Sequence, residues 1–118
     1  MRKLALSVVM LMMVGTVSFA RSKASRTFTG DIMDSPCAAK GNHEAGYKMT
    51  GTDNPKDCTL ACVKGGGKFV LYNAAKKAIY QLDDQDKPRD FAGQKVKVIG
   101  TYDMATKTIH VEKIEASS

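Results

Sequence analysis

Four short β-forming segments in the second half of the chain most constrain its fold. KFVLYN and AIYQL are rich in β-branched and aromatic residues, while GQKVKVIGTYD and KTIHVEKIE alternate between apolar and polar positions. KFVLYN is apolar on both faces, which is typical of a strand that is buried on both sides. The alternation of the last segment changes phase before Ile114, and this change indicates a β-bulge.

The four segments are joined in pairs by turns of similar sequence. YNAAKKAIY begins at Tyr72 and YDMATKTIH begins at Tyr102, and both carry Asn or Asp, Ala, Lys and Ile at matching positions. The side chains of Asn73 and Asp103 can accept hydrogen bonds from the backbone that follows them, which favours a turn. We therefore expect two β-hairpins, separated by DDQDKPRDFAGQ with a single helical turn.

A fifth strand is predicted ahead of these hairpins. It is RTFTGDIM, in which Gly30 indicates a bulge or a close backbone approach. The pattern predicts a mainly β fold, namely a small five-stranded OB-like barrel with one short helix between strands 1 and 2. A five-stranded meander with an added helix is the alternative. We expect one OB-like domain over residues 27–115.

The predicted helix covers residues 55–64. Asn54 is a suitable N-cap and Pro55 suits the first helical position, while Gly65 can end the helix in the left-handed conformation. The preceding residues, 35–51, are small and polar without a clear period, so we expect them to form an irregular segment.

Two cysteines lie on one face of this helix. Cys58 and Cys62 are separated by about 40° around the helix axis, and Leu60 lies on nearly the opposite face. We expect the aliphatic face to contact the barrel, so that the cysteine face points away from the main core. The irregular segment, which carries Cys37 and His43, is expected to cover that face.

These residues can form three kinds of centre. Cys37, His43, Cys58 and Cys62 can converge on a tetrahedral metal ion, and thiolate ligands suit zinc or cuprous copper. In an oxidising compartment, a disulfide of Cys37 with Cys58 or Cys62 is the alternative, and it leaves one spare thiol. A thiol-redox centre is the third, although C-x-x-x-C has one residue more than the usual redox motif. The residues alone leave these alternatives open.

The first 20 residues have the layout of a secretory signal peptide. Arg2 and Lys3 precede an uncharged apolar run over residues 4–20 that ends in small residues. Cleavage there predicts a periplasmic or secreted protein with a flexible N-terminus over residues 21–26, and an uncleaved membrane anchor is the alternative. Loss of the segment lowers the formal net charge from +6 to +4, and this mildly basic balance identifies no partner.

We expect a binding or structural module and no enzyme. The chain contains no phosphate-binding loop, no H-E-x-x-H motif and no Ser/His/Asp order. It is expected to be either a metal-binding module or a disulfide-stabilised module that binds a protein or a small ligand. Export argues against a nucleic-acid partner, and no membrane contact is expected after signal removal. We expect a monomer, with dimerisation through a spare cysteine as the alternative.

FTGDIMDSPCA, CTLACVKGGGKFVLY and FAGQKVKVIGTYD resemble a family of small exported bacterial proteins known only as a domain of unknown function. The resemblance extends over residues 28–114. D-S-x-C and C-x-x-x-C-V-K-x-G-x-K-F are its specific motifs, whereas A-G-x-x-V-x-V-x-G is a general strand signature of OB-like barrels. The resemblance implies that Asp34, Cys37, Cys58 and Cys62 belong to a shared pattern, with His43 in the region where the relatives carry a histidine. It implies no activity.

Overall fold

The computed structural model describes Gly15 and residues 24–117. The predicted signal segment, apart from Gly15, and the start of the predicted flexible N-terminus lie outside the described residues. In chain order, the elements are β1 (Arg26–Asp34), α1 (Ser35–Lys40), α2 (Glu44–Thr50), α3 (Pro55–Lys64), β2 (Phe69–Asn73), β3 (Ala78–Leu82), a 3₁₀ helix (Lys87–Phe91), β4 (Lys95–Asp103) and β5 (Thr108–Ala116).

The five strands form a closed ring of hydrogen-bonded neighbours. Their order around the ring is β1-β2-β3-β5-β4, and β4 pairs again with β1. The β3–β5 pair is parallel and the other four pairs are antiparallel. β1 closes the ring because its first part, Arg26–Asp31, pairs with β4 and its last part, Asp31–Asp34, pairs with β2. The predictions of five strands and a mainly β fold are confirmed.

Gly30 allows β1 to change partners. A Cβ at this position would overlap the carbonyl oxygen of Tyr72 and would lie 2.9 Å from its carbonyl carbon. The close backbone approach predicted from the sequence is therefore confirmed. The predicted bulge is also present: Ile99 pairs with Lys113 while the next residue, Gly100, pairs with Val111. Glu112 has no Cα partner in this register and is the extra residue of the bulge.

β2 is buried on both faces, as its sequence predicted, because each face contacts a different group of residues. Phe69 and Leu71 belong to the main core inside the ring, and Val70 between them faces the helices. All three side chains are fully buried. The main core consists of apolar side chains from all five strands and from the segment before β4: Phe28, Ile32, Phe69, Leu71, Leu82, Ala92, Val96, Val98, Ile109, Val111 and Ile114.

The prediction of a single helix between the first two strands was wrong, because three helices lie there. α3 has the predicted bounds, but the segment expected to be irregular contains α1 and α2. Capping residues account for both short helices. At the start of α1, the Asp34 side chain accepts a hydrogen bond from the Cys37 amide. At their C-terminal ends, α1 stops at Gly41 and α2 stops at Gly51, and both glycines are in the left-handed conformation. Among the described residues, no helix is long and apolar enough to span a membrane.

The two hairpin turns repeat one another, as expected. Asn73 Oδ1 accepts a hydrogen bond from the Lys76 amide, and Asp103 Oδ1 accepts one from the Ala105 amide. Both turns then contain a lysine with positive φ, Lys77 at 50° and Lys107 at 54°.

The end of α3 differs from the prediction. Gly65 was expected to take the left-handed conformation, and this was wrong because its φ is −80°. The next residue, Gly66, has a positive φ of 116° instead.

Replacing Gly100 by alanine should destabilise the ring at the bulge. Its Cβ would overlap the carbonyl oxygen of His110 across the β4–β5 pair, so the strands must separate locally. We expect Gly100→Ala to lower the free energy of unfolding by about 1–3 kcal/mol in urea denaturation. Gly65→Ala is the matched control, since a Cβ at Gly65 meets only ordinary contacts at 3.6 Å. Equal losses in both variants would contradict this account of the bulge.

Candidate metal centre

The cysteines lie between the three helices and the outer face of the sheet, apart from the main core. α3 contributes to both regions: Leu60 and Val63 pack against the main core, whereas Cys58 lies on the other side in a second buried cluster. That cluster also contains Met33, Cys37, Ala38 and Val70, with Tyr47, Cys62, Tyr72 and Ile79 packed against it. The predicted orientation of α3 is confirmed, and its cysteine face is covered by the segment that carries Cys37.

The backbone of α2 at Gly46 lies close to the sulfur atoms of all three cysteines. A Cβ built on Gly46 would lie 2.7 Å from the Sγ atoms of both Cys37 and Cys58, and 3.9 Å from Sγ of Cys62. Contacts shorter than 3.0 Å essentially never occur for real Cβ atoms. Glycine therefore allows the backbone of α2 to lie against the thiols of α1 and α3.

Asp34 adds a buried carboxylate beside the thiols. The residue is completely buried, and its Oδ2 accepts a hydrogen bond of 2.9 Å from the Cys37 amide. Its other oxygen, Oδ1, has no hydrogen-bond partner among the described residues. A buried carboxylate oxygen without a partner is unfavourable, so this atom is available to bind a cation.

His43 lies next to this carboxylate. Its Nδ1 is 3.9 Å from Asp34 Oδ1, which is beyond hydrogen-bonding distance, and it too lacks a hydrogen-bond partner in the described part of the chain. Only 13% of the side chain is exposed. The ring stacks on Tyr47, with centroids 5.7 Å apart and an angle of 22° between the planes. Although His43 precedes α2 as its N-cap residue, its side chain makes no capping bond, so it can act as a ligand.

Four side chains form a group that could hold a metal ion. One ligand atom from each of Asp34, Cys37, His43 and Cys58 lies within 4.8 Å of all the others. In a tetrahedral zinc site, neighbouring ligand atoms are about 3.3–3.8 Å apart, because the metal–ligand bonds are about 2.0–2.3 Å long. The 4.8 Å limit is longer than this, so the ligand atoms would have to move closer together to bind one tetrahedral ion.

The structure brings together three of the four residues predicted for a metal site and adds another. Cys37, His43 and Cys58 belong to the group, while Cys62 lies beside it and is only partly buried. Asp34 was indicated only by the family resemblance, because its role depends on α1, a helix that the sequence did not predict. A local signal was present, since Asp34 is followed at once by Ser35 and a proline, a common start of a helix.

The cysteines are free thiols in this structure, so the alternative disulfide of Cys37 with Cys58 or Cys62 is not formed. Burial raises the pKa of Cys37 far above its usual range, and the nearby Asp34 carboxylate and Cys58 raise it further. Burial, together with Asp34 and Cys58, raises the pKa of Cys62 to about 11. These two thiols are therefore protonated near neutral pH, and a cation that binds them must displace their protons.

A second histidine–carboxylate pair, formed by His110 and Asp83, lies outside the candidate metal centre and differs from it in exposure and in hydrogen bonding. His110 on β5 is exposed, as the sequence predicted, but its Nδ1 is paired with Oδ2 of Asp83, which the sequence did not reveal. The other oxygen of Asp83 accepts a hydrogen bond from the Val111 amide. Both oxygens thus have partners, no thiol is near, and the pair lacks the features of the buried group.

The fold and the site together define a mainly β domain with a helical layer that gathers thiols, a carboxylate and an imidazole. Residues 63–117 match a family described as "Protein of unknown function (DUF5818)". The match begins after Cys62, so it supports the predicted domain of unknown function for the strands β2–β5 but does not include the candidate site. No curated protein and no solved structure matches the chain.

Replacing Gly46 by alanine should destabilise the helical layer. A Cβ here must displace two sulfur atoms, and we expect a loss of about 1–3 kcal/mol in the free energy of unfolding. This loss should appear although alanine favours a helix over glycine by about 1 kcal/mol.

The control for this prediction is the same substitution in a background without the two close sulfur atoms. In Cys37→Ala/Cys58→Ala, Gly46→Ala should be neutral or stabilising, because space is available for the methyl group and only helix propensity remains. Urea denaturation is measured for the wild type, for Gly46→Ala, for the double cysteine variant and for the triple variant. The four free energies of unfolding give the coupling free energy between position 46 and the two thiols. An equal loss in both backgrounds would show that the sulfur contacts do not require glycine.

Proposed function

We propose that this protein is a small exported metal-binding module that holds one zinc ion through Asp34, Cys37, His43 and Cys58. The observation that carries the proposal is the pair of buried, unpartnered atoms, Asp34 Oδ1 and His43 Nδ1, beside two thiols. Leaving a buried polar atom unpaired costs about 1–3 kcal/mol, and a cation bonded to both atoms would remove that cost.

The ligand chemistry favours zinc. Zinc accepts sulfur, nitrogen and oxygen ligands in a tetrahedral arrangement, and the group offers two thiols, one imidazole and one carboxylate. Cuprous copper is the alternative. It prefers soft thiolate and thioether ligands, so the carboxylate of Asp34 is a poor fourth ligand for it.

The proposed zinc would stabilise the helical layer. Its ligands come from the end of β1, from α1, from the residue preceding α2, and from α3, so one ion would connect all three helices to the sheet. Four protein ligands leave no open position on a tetrahedral ion, which is typical of structural zinc. The proposal agrees with the expectation of a binding or structural module.

We extend the proposal to the fold family and the compartment. The ring order β1-β2-β3-β5-β4 with a parallel β3–β5 pair supports an OB-type barrel, with the helical layer inserted between its first two strands.

Export to the periplasm or to the outside of the cell is supported by the charged start and apolar run of the first 20 residues.

A disulfide-stabilised interaction module is the second candidate. It is favoured by the distance between the sulfur atoms of Cys37 and Cys58, which is at most 4.8 Å. This candidate predicts one reactive thiol per chain after denaturation without reductant, because two of the three cysteines would be joined. The zinc module predicts three such thiols once the metal is removed by a chelator.

Metal analysis of the purified chain tests the proposal. We expect one zinc per chain, and we expect Cys58→Ser and His43→Ala to lose most of the metal because each lacks one buried ligand. His110→Ala is the matched control, since it removes a histidine that is also paired with an aspartate but lies outside the group. A chain that holds no zinc, and whose melting temperature does not rise when zinc is added, would contradict the proposal.

Asp34→Asn separates the metal role of Asp34 from its capping role. Asparagine keeps an oxygen that can accept from the Cys37 amide but removes the negative charge. The metal-free variant should be at least as stable as the metal-free wild type, because a buried charge without a neighbouring cation is gone. With free zinc at a hundredfold excess over the dissociation constant, the free energy of unfolding of the wild type should rise by about 2.7 kcal/mol. That of the variant should rise by much less. Equal gains in thermal denaturation would exclude Asp34 as a ligand.

A further inference from the structure

A cleft of about 450 Å³ opens beside the candidate metal centre. It is bounded by all three helices and by the glycine run after α3, and its lining includes Cys37, Lys40, Gly46, Met49 and Cys62. Cys37 and Cys62 are the two cysteines that line the cleft, whereas Cys58 does not. The cleft thus connects solvent to one edge of the thiol group.

The exposure of the candidate ligands decreases from the cleft inwards. Cys62 is partly exposed, Cys37 is 3% exposed, and Cys58 and Asp34 are completely buried. His43, the other candidate ligand, is 13% exposed but does not line the cleft. Among the cysteines, the cleft therefore gives an incoming ion access to Cys62 and Cys37 before Cys58.

Cys62 is placed to begin this exchange. It lies one helical turn after Cys58 on the same face of α3, and its Sγ is 3.9 Å from the Cβ position of Gly46, against 2.7 Å for Cys58. It is outside the four-residue group but interacts electrostatically with Asp34 and Cys58, two of its members. A sulfur at this position can bond to an ion in the cleft and release it to the inner ligands through a short movement.

We propose that Cys62 is the receiving ligand of the centre, which takes a divalent zinc-type ion from a small anionic metal complex bound in the cleft and passes it to the inner ligands. This inference rests on the proposed zinc site. The donor is expected to be anionic because Lys40, an exposed cation, lines the cleft. Carboxylate and thiolate chelates of zinc carry such a negative charge.

The transfer is an exchange of ligands without oxidation or reduction. As the metal–sulfur bond to Cys62 forms, the thiol proton passes to solvent and a donor ligand leaves the ion. When the ion then bonds to Cys37 and Cys58, both thiols lose their protons. One proton is taken up by Cys62 as its own bond to the metal breaks, and the other passes to solvent. The donor leaves as the free chelate, and the ion keeps its charge throughout.

Cobalt uptake by the metal-free full chain tests the inference. Cobalt(II) replaces zinc in tetrahedral sites, and its thiolate bonds give a charge-transfer absorption that can be followed by rapid mixing. With cobalt nitrilotriacetate as the anionic donor, we expect Cys62→Ser and Cys62→Ala to slow uptake by about tenfold or more. Both variants should still reach one cobalt per chain with the wild-type absorption, because Cys62 is not a permanent ligand.

Two further variants give the experiment its controls. Met104→Leu changes an exposed sulfur residue that does not line the cleft, and it should leave the uptake rate unchanged. Lys40→Ala should slow uptake from the anionic complex but not from hydrated cobalt, which is a cation.

The outcomes separate this inference from the proposed function. Equal uptake rates in the wild type and both Cys62 variants would overturn the role of Cys62 and leave the metal site in place. A Cys62 variant that is folded by circular dichroism but binds no cobalt would also overturn it, because Cys62 would then be a permanent ligand. A wild-type chain that takes up no cobalt would overturn both the inference and the proposed site.

Discussion

The close approach of α2 to the thiols at Gly46 is the contact on which the candidate site depends. Two sulfur atoms lie 2.7 Å from the position that a Cβ would occupy, so only glycine permits this packing. The same contact places His43, one residue before α2, beside the buried carboxylate of Asp34. A larger residue at position 46 would push the helix outwards and would separate the imidazole from the other three groups.

The sheet and the helical layer have different kinds of interior. The ring encloses an apolar core that needs no ligand, and its interior consists of aliphatic and aromatic side chains. The space under the helices contains thiols, a carboxylate and an imidazole, two of whose polar atoms have no partner in the described residues. Hydrophobic burial is therefore sufficient to explain the ring, whereas the helical layer contains buried polar atoms that a further interaction would satisfy. A metal ion bonded to all four groups would supply it.

The strands were predictable from sequence because burial leaves a periodic pattern along a strand. The turns at Asn73 and Asp103 and the bulge near Ile114 also left local signals. α3 was predictable from its cap and its proline, but α1 and α2, with 6 and 7 residues, are too short to show a helical period. Because Asp34 acts through α1, its place in the site could not be derived from spacing, and the importance of Gly46 requires the packing of three helices.

The coordination of the proposed zinc ion tests the central claim most directly. X-ray absorption at the zinc edge measures the number and type of ligand atoms around the ion in the purified protein. The account predicts two sulfur atoms at about 2.3 Å and two nitrogen or oxygen atoms at about 2.0–2.2 Å. A shell of nitrogen and oxygen alone would contradict it, and so would three or four sulfur atoms, because the ion would then not lie between Asp34, Cys37, His43 and Cys58.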